Sequence, residues 1–274
     1  MGRVMRIGLL TSVETRHRYF ANAIRAKLPV VAIGYERTGF HPAEVRKDEL
    51  TPDESLVVAE HFAERARQED AFFGADNAFA SEGSGCGVRM IESGELNSPE
   101  TLGFLEGRNV DTVVVYGANL IKEPLLGRWP GRIINLHLGL SPYYRGTATN
   151  FYPLLNEEPE YVGATIHFID AGIDTGPILK HARPTIEARD RPHTIGCKTI
   201  LAGVEAMIVV LKRLERDGTL VGMPQWRPAN AKFYLRKDYH PRQVVELYRK
   251  LDAGLVQRYV ERCKRQPPEV QVVD

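Results

Sequence analysis

Two polar side chains lie two residues apart in the otherwise apolar segment Ile133–His137, namely Asn135 and His137. A β-strand places residues i and i+2 on the same face, so the amide and the imidazole are expected to point the same way. Gly139 and Pro142 follow closely, which puts both side chains at the C-terminal end of the strand. An amide that donates a hydrogen bond, beside an imidazole that donates one or moves a proton, suits the stabilisation of a developing oxyanion.

A carboxylate follows in the glycine-rich segment Asp170-Ala-Gly-Ile-Asp174-Thr-Gly-Pro177. Such a loop can return to the same edge of a sheet and bring Asp174 to the histidine. An amide, an imidazole and a carboxylate together could support acyl transfer without a covalent nucleophile. A histidine on an apolar strand is more often a satisfied core residue, so spacing alone leaves a structural role open.

Apolar segments stopped by small or polar residues alternate with helical patterns, which predicts an α/β fold with a Rossmann-like open, mainly parallel sheet. In such sheets, active sites lie at the carboxyl edge of the strands. The predicted strands are Arg6–Ser12, Val30–Tyr35, Val88–Ile91, Val110–Tyr116, Ile133–His137, Gly163–Asp170 and the extended segment Gly176–Ile186. The predicted helices are Tyr19–Leu28, Thr51–Gln68 (opened by a capping box), Ser98–Gly107, Thr194–Arg216 and Pro241–Arg262.

The pattern changes beyond Gly218, where prolines interrupt the chain, so we expect a catalytic domain over 1–218 and a small helical C-terminal appendage over 219–274. The net charge of +1 gives no overall case for nucleic acid or membrane binding. Three cysteines far apart and no HExxH spacing argue against a disulfide framework or a metal site. With no secretion signal or long apolar run recognised, we expect a cytoplasmic protein and no membrane partner.

Two motifs carry a family resemblance. The run Asn135-Leu-His137-Leu-Gly-Leu-Ser-Pro142-Tyr-Tyr-Arg145-Gly146 resembles the active-site stretch of folate-dependent formyltransferases, and the segment from Gly163 to Pro177 resembles their second motif. Both occur in the expected order and separation. Ser141 stands where the family commonly has leucine, and Leu-Gly follows the histidine, but neither departure touches a catalytic position.

The resemblance implies a formyltransferase fold, with 10-formyltetrahydrofolate as the formyl donor. By that resemblance, Asn135 and His137 would hold the formyl oxygen, and Asp174 would orient His137 and relay a proton. It places the pterin ring of the donor against two loops, largely through backbone groups. The implied donor-binding residues are Gly117, Asn119, Leu120 and Ile121 in the first loop, and Asp170, Ala171, Gly172 and Ile173 in the second.

The acceptor is less defined, because purine-pathway, initiator-tRNA and sugar-directed enzymes share these motifs. Cations at the start of the first helix are disfavoured by its dipole, so we expect an anionic substrate group there. Tyr143 could stack on the acceptor or fill the core. The candidate substrate-binding residues are Ser12, Arg16, His17, Arg18, Tyr143 and Arg145.

The tRNA-directed type carries a further C-terminal domain of about a hundred residues, and only residues 219–274 follow the helix here, so nucleic acid is an unlikely partner by this resemblance. Residues 225–265 nevertheless hold eleven Lys/Arg against four Asp/Glu, an excess that keeps a phosphate-bearing ligand open. The favoured acceptor is a small-molecule amine such as an amino sugar on a nucleotide carrier. Methionyl-tRNA or glycinamide ribonucleotide as acceptor, and hydrolysis by a formyltetrahydrofolate deformylase, remain alternatives. A homodimer is possible.

Overall fold

A computed structural model describes residues 4–37, 45–83 and 85–274. The strands in this part of the chain are β1 (Ile7–Ser12), β2 (Val30–Glu36), β3 (Gly87–Ile91), β4 (Thr112–Tyr116), β5 (Ile133–His137), β6 (Tyr144–Gly146), β7 (Ala164–Phe168), β8 (Ile178–Ala182) and β9 (Lys232–Tyr234). The α-helices are α1 (Thr15–Arg25), α2 (Pro52–Phe73), α3 (Pro99–Glu106), α4 (Leu125–Arg128), α5 (Tyr152–Leu155), α6 (Pro192–Asp217), α7 (Arg242–Asp252) and α8 (Leu255–Arg265).

Seven strands form one sheet in the order β3-β2-β1-β4-β5-β7-β8. The first five run parallel, whereas β7 is antiparallel to both β5 and β8. The central strands β1 and β4 are buried along their whole length, as expected for strands covered by helices on both faces. The predicted α/β fold with a mainly parallel sheet is confirmed.

Two apolar layers cover the sheet. On one face, α1 and α6 pack side chains such as Phe20, Ile24 and Met207 against Leu9 and Val114. On the other face, a second cluster includes residues of α3 and the segment around α4. Both faces of the central strands are therefore shielded from water, and this burial provides the main stabilisation of the sheet.

Helix α6 is the one described helix with the length and composition of a membrane span, at a mean hydropathy of 1.8 over its most apolar stretch. Within the protein, 61% of that stretch is buried, and the helix packs on β7 and β8. Core helices of globular proteins share these properties.

Two helices differ in length from the prediction. Helix α2 has the predicted capping box, with Thr51 and Glu54 exchanging hydrogen bonds, but continues to Phe73. Helix α1 begins at Thr15 rather than Tyr19, although its first turn contains cations that the helix dipole disfavours. Nearby carboxylates compensate those cations, as described below.

The predicted single helix Pro241–Arg262 is wrong, because the structure has two helices, α7 and α8, separated at Gly254. Gly254 has φ +86°, a left-handed conformation that interrupts the helix and favours glycine. The predicted helix runs through this glycine without a break.

The C-terminal residues pack closely on the rest of the protein. Strand β9 pairs with β6, the short strand that follows β5 along the chain. Leu247 and Leu255 share one hydrophobic cluster with Leu140, Tyr144 and other residues that precede 218. The division at 218 stays a prediction, but the C-terminal part shares a hydrophobic cluster with residues that precede 218, beside the two clusters that cover the sheet.

Candidate functional site

Strand β5 delivers Asn135 and His137 to the carboxyl edge of the sheet. Antiparallel pairing places Asn135 beside His167 and His137 beside Thr165 on β7. The chain then leaves β7 and turns back through Asp174 before β8 begins. These local paths explain how residues far apart in sequence meet at one point.

The three predicted catalytic residues lie together. Oδ2 of Asp174 is 3.5 Å from Nδ1 of His137 and accepts a 3.0 Å hydrogen bond from the backbone N–H of Gly146. Asp174 has φ +51°, a left-handed conformation that aspartate and asparagine tolerate better than most residues. The loop therefore aims its carboxylate at the imidazole.

His137 is buried, and its second ring nitrogen also has partners. Nε2 lies 3.3 Å from the carbonyl oxygen of Tyr144 and 3.4 Å from Oγ1 of Thr149. Burial lowers the pKa of His137, while the charge of Asp174 partly offsets this effect. A pKa below the ordinary value favours the neutral ring, whose single N–H points either to Asp174 from Nδ1 or to the carbonyl oxygen of Tyr144 from Nε2.

The carboxylate of Asp174 is held in its ionised form. Burial alone would raise the pKa of Asp174, but His137, His167 and the N–H of Gly146 outweigh burial and keep that pKa below its usual range. A buried anion between two imidazoles can hold a positive charge that appears on either ring.

His167 is a further member of the site and is absent from the candidate residues that the sequence suggested. Its Nε2 lies 3.2 Å from Nδ2 of Asn135 and 3.6 Å from Oδ1 of Asp174. The missing signal was the direction of β7: once this strand is antiparallel to β5, His167 stands opposite Asn135.

The first predicted donor-binding loop follows β4. Gly117 is exposed and has φ +67°, and a Cβ there would collide with the imidazole of His17. Asn119 binds the carboxylate of Glu36, Leu120 is exposed, and Ile121 is buried in the core. Ile121 can therefore offer backbone groups to a ligand rather than its side chain.

The second predicted donor-binding loop precedes Asp174 directly. Asp170 accepts hydrogen bonds from the N–H of Gly172 and the hydroxyl of Thr175, which stabilises the turn. Ala171 and Gly172 are exposed, and Ile173 is half-buried. The loop thus presents small residues and backbone beside the catalytic carboxylate.

The predicted anion-binding cations are already paired within the protein. Arg16 contacts Glu14 at 2.5 Å and Glu69 at 2.7 Å, and Nδ1 of His17 lies 3.1 Å from Glu14. Burial and the charge of Arg16 lower the pKa of His17 to about 4, so this ring is neutral. These contacts remove the reason for predicting an anion site at Arg16 and His17.

The two remaining residues at this end differ in their surroundings. Arg18 lies over the ring of Phe79, 4.9 Å from its centroid, and reaches the hydroxyl of Thr15. Ser12 is buried at the end of β1, and its hydroxyl has no hydrogen-bond partner within the described ranges. Ser12 thus retains a polar atom at the carboxyl edge.

The two candidate residues at β6, Tyr143 and Arg145, also differ in their surroundings. Tyr143 is buried against Tyr161 and Trp226, and its hydroxyl bonds the backbone of Gln271, which favours the core role of the two that the sequence left open. Arg145 is half-buried, with its guanidinium 5.7 Å from the ring centroid of Phe233. In the described part of the chain, Arg145 has no carboxylate partner.

Other features lie away from this site. A cavity of about 540 Å³ opens at the opposite edge of the sheet, lined by Asn109, Trp129 and Arg132 among others. Within residues 4–37, 45–83 and 85–274, no group of three His, Cys, Asp or Glu side chains could hold a metal ion. The polar constellation at the carboxyl edge is therefore separate from this cavity.

Comparison with known proteins points to one family. Residues 43–211 match the model of the family described as Formyl transferase. The chain is 33% identical over 155 residues to the methionyl-tRNA formyltransferase of Thermodesulfovibrio yellowstonii, which covers 56% of this chain and 49% of that protein. A 141-residue match to the methionyl-tRNA formyltransferase of Synechococcus is also 33% identical and covers 51% of this chain and 43% of the relative. The chain thus spans about half the length of these curated relatives.

Solved structures share the fold at low identity. The phosphoribosylglycinamide formyltransferase of Anaplasma phagocytophilum superposes with a TM-score of 0.56 at 16% identity, covering 85% of this chain and 99% of that one. A 4-N formyltransferase from Francisella tularensis gives a TM-score of 0.55 at 18% identity, covering 87% of this chain and 79% of that one.

Proposed function

The chain belongs to the formyl transferase family, and on that premise we propose that it transfers the formyl group of 10-formyltetrahydrofolate to the primary amine of a small molecule. The observation that carries this proposal is the meeting of Asn135, His137 and Asp174 at the carboxyl edge of the sheet, with 3.5 Å between the carboxylate and the imidazole.

In the proposed reaction, an amide N–H of Asn135 and the imidazole of His137 stabilise the formyl oxygen as it gains negative charge. The acceptor amine attacks the formyl carbon, and the bond from that carbon to N10 of the donor breaks. Asp174 stabilises positive charge on His137 and accepts the proton that the amine loses, directly or through water. The proton taken from the amine is then passed to N10, so the donor leaves as tetrahydrofolate and Asp174 returns to its carboxylate form.

The loops beside the site fit the proposed donor. Gly117, Ala171 and Gly172 are exposed and small, so a flat ring could approach the backbone closely. The first loop follows β4 at the carboxyl edge of the parallel strands, and the second leads directly into Asp174. The donor supplies the formyl group, and these loops would orient it towards Asn135.

The surroundings of Arg145 support an acceptor with an anionic group. A half-buried guanidinium without a carboxylate partner in the described chain can bind phosphate with charge-assisted hydrogen bonds. The exposed ring of Phe233 beside it could stack on a planar group. These features favour an amino sugar carried on a nucleotide.

The basic C-terminal segment gives less support to transfer RNA as acceptor. Of its eleven cations, at least six pair with carboxylates, so they form no uninterrupted positive surface. The paired cations are Lys232, Arg242, Lys250, Arg258, Arg262 and Lys264. Such exposed pairs suit packing of the segment against the protein.

The test is incubation of the purified protein with 10-formyltetrahydrofolate and separate acceptors: nucleotide-linked amino sugars, glycinamide ribonucleotide and charged initiator tRNA. We expect formylated product only with the amino sugars. Activity confined to glycinamide ribonucleotide would overturn the amino-sugar assignment, and activity confined to charged initiator tRNA would overturn the small-molecule assignment as well. Release of formate without any amine would favour the hydrolase.

A further inference from the structure

A buried carboxylate lies next to the predicted donor-binding loop, outside the catalytic trio. Glu36 is the last residue of β2 and is only 2% exposed. Its Oε2 accepts a 2.8 Å hydrogen bond from the backbone N–H of Asn119, and its Oε1 accepts a second of 2.8 Å from Nδ2 of the same residue. One acid thus binds the main chain and the side chain of a single loop residue.

The two hydrogen bonds between Asn119 and Glu36 hold the loop after β4 in its conformation. Hydrogen bonds to an ionised carboxylate are roughly twice as strong as those between neutral groups. Without Glu36, two N–H donors of Asn119 would lose their acceptors in a partly buried position, which is costly. The loop after β4 is therefore held from β2, two strands away in the sheet.

The remaining polar atom of the Asn119 side chain is also bound. Arg236, in the C-terminal part of the chain, donates to Oδ1 of Asn119 at 3.3 Å. Because the amide nitrogen faces Glu36 and the amide oxygen faces Arg236, the side chain is fixed at both ends. This arrangement ties β2, the loop and the C-terminal segment together.

We propose that Glu36 is a positioning residue for the formyl donor, acting through Asn119 to hold the backbone of residues 117–121 in the conformation that binds the pterin ring. The inference rests on the proposed function, since it assigns Glu36 to the donor half of that same site. Glu36 does not touch the reacting atoms, so its effect falls on donor binding rather than on the chemical step.

The test compares Glu36→Gln with the wild-type protein. Glutamine keeps the size of the side chain but can accept only one of the two N–H groups and turns its own NH₂ towards the other. We expect the dissociation constant for 5-formyltetrahydrofolate, a stable probe, to rise about tenfold, with kcat at saturating donor within about twofold. Hydrogen exchange at the Asn119 amide should accelerate, while the amides of Val113–Val115 keep their protection.

A matched control is Glu92→Gln, because Glu92 follows the neighbouring strand β3 but is exposed and pairs with Arg37. It should bind the probe as the wild-type protein does. A second variant, Asn119→Ala, keeps the backbone donor and loses the side chain, and should weaken binding about threefold.

The outcomes separate the two proposals. If the wild-type protein binds the probe and Glu36→Gln binds it equally, or loses kcat with an unchanged KM for the donor, the role of Glu36 is overturned and the proposed function stands. If the wild-type protein fails to bind the probe, the folate-dependent function and the positioning role both fall.

Discussion

The side-chain amide of Asn135 is oriented by His167. Nδ1 of His167 lies 2.8 Å from the carbonyl oxygen of Phe168, so this nitrogen carries the hydrogen. In the neutral ring, Nε2 is then an acceptor, and it faces Nδ2 of Asn135 at 3.2 Å. One amide hydrogen is thereby occupied and the other remains available for a formyl oxygen.

Replacing His167 with leucine should reduce formyl transfer by losing this orientation. We expect kcat to fall about tenfold, which corresponds to about 1.4 kcal/mol for one lost hydrogen bond. A double-mutant cycle with Asn135→Ser provides the check. In the Asn135→Ser background, His167→Leu should cause little further loss of kcat. Fully additive costs would mean that His167 acts independently of the amide.

The variant Asp174→Asn should fold but lose most of its turnover. Asparagine preserves the volume and tolerates the left-handed backbone at this position, whereas the charge that stabilises protonated His137 is lost. We expect kcat to fall by at least about 10²-fold in a folded protein whose melting temperature is lower, because the contacts that favour the ionised carboxylate are lost. The control Asp217→Asn lies at the exposed end of α6 and should keep normal turnover. Full activity of Asp174→Asn with a verified acceptor would refute the assignment.

Stability should decrease as the pH falls from 7 to 5, partly because of a buried histidine pair. Nδ1 of His61 lies 3.2 Å from Nε2 of His193, at the contact between α2 and α6. Burial, His193 and Arg65 lower the pKa of His61 to about 3, and burial and Arg65 lower the pKa of His193 to about 4. Below the unfolded value near 6.5, the unfolded chain therefore binds more protons than the folded protein, and acid favours unfolding.

For one such histidine, this loss is about 2 kcal/mol between pH 7 and pH 5. The variant His61→Gln should reduce the pH-dependent loss of unfolding free energy by about that amount. Urea unfolding of both proteins at the two pH values measures the difference. An identical loss in variant and wild type would show that His61 remains protonatable in the folded state.

Two glycine-to-alanine substitutions should change stability in opposite directions. Gly254 has φ +86° between α7 and α8, so alanine there should destabilise the protein by about 1 kcal/mol. Gly196 lies inside α6 with open space at its Cβ position, and alanine there should stabilise it by about 0.5–1 kcal/mol. Thermal unfolding compares them, and a stabilising Gly254→Ala would contradict the conformational argument.

The strands of the parallel sheet could be predicted from sequence because burial on both faces leaves continuous apolar runs, as in β1 and β4. Contacts between distant segments could not be predicted in the same way. The carboxylates that pair with Arg16 come from Glu14 and Glu69, and only folding brings Glu69 to the start of α1.

The residues of the candidate site also divide into those that local geometry predicts and those that only the folded structure brings together. Asn135 and His137 share a strand, so their common face follows from local geometry. His167 joins them only through the antiparallel direction of β7, and Glu36 reaches Asn119 only across the sheet. The periodicity of apolar residues predicts neither the direction of a strand nor hydrogen bonds between distant segments. His167 and Glu36 were therefore not among the predicted site residues.

The pairing of β6 with β9 has a consequence for chimeric proteins in which the C-terminal segment is exchanged between relatives. Gly146, whose N–H holds Asp174, has φ +92°, and a Cβ there would lie 2.0 Å from the carbonyl oxygen of Tyr234 on β9. The predicted catalytic residue Asp174 is therefore supported, through Gly146, by a strand from the C-terminal part of the chain. A chimera that exchanges this tail for that of a relative, in order to transplant acceptor preference, would also disturb the support of the acid itself.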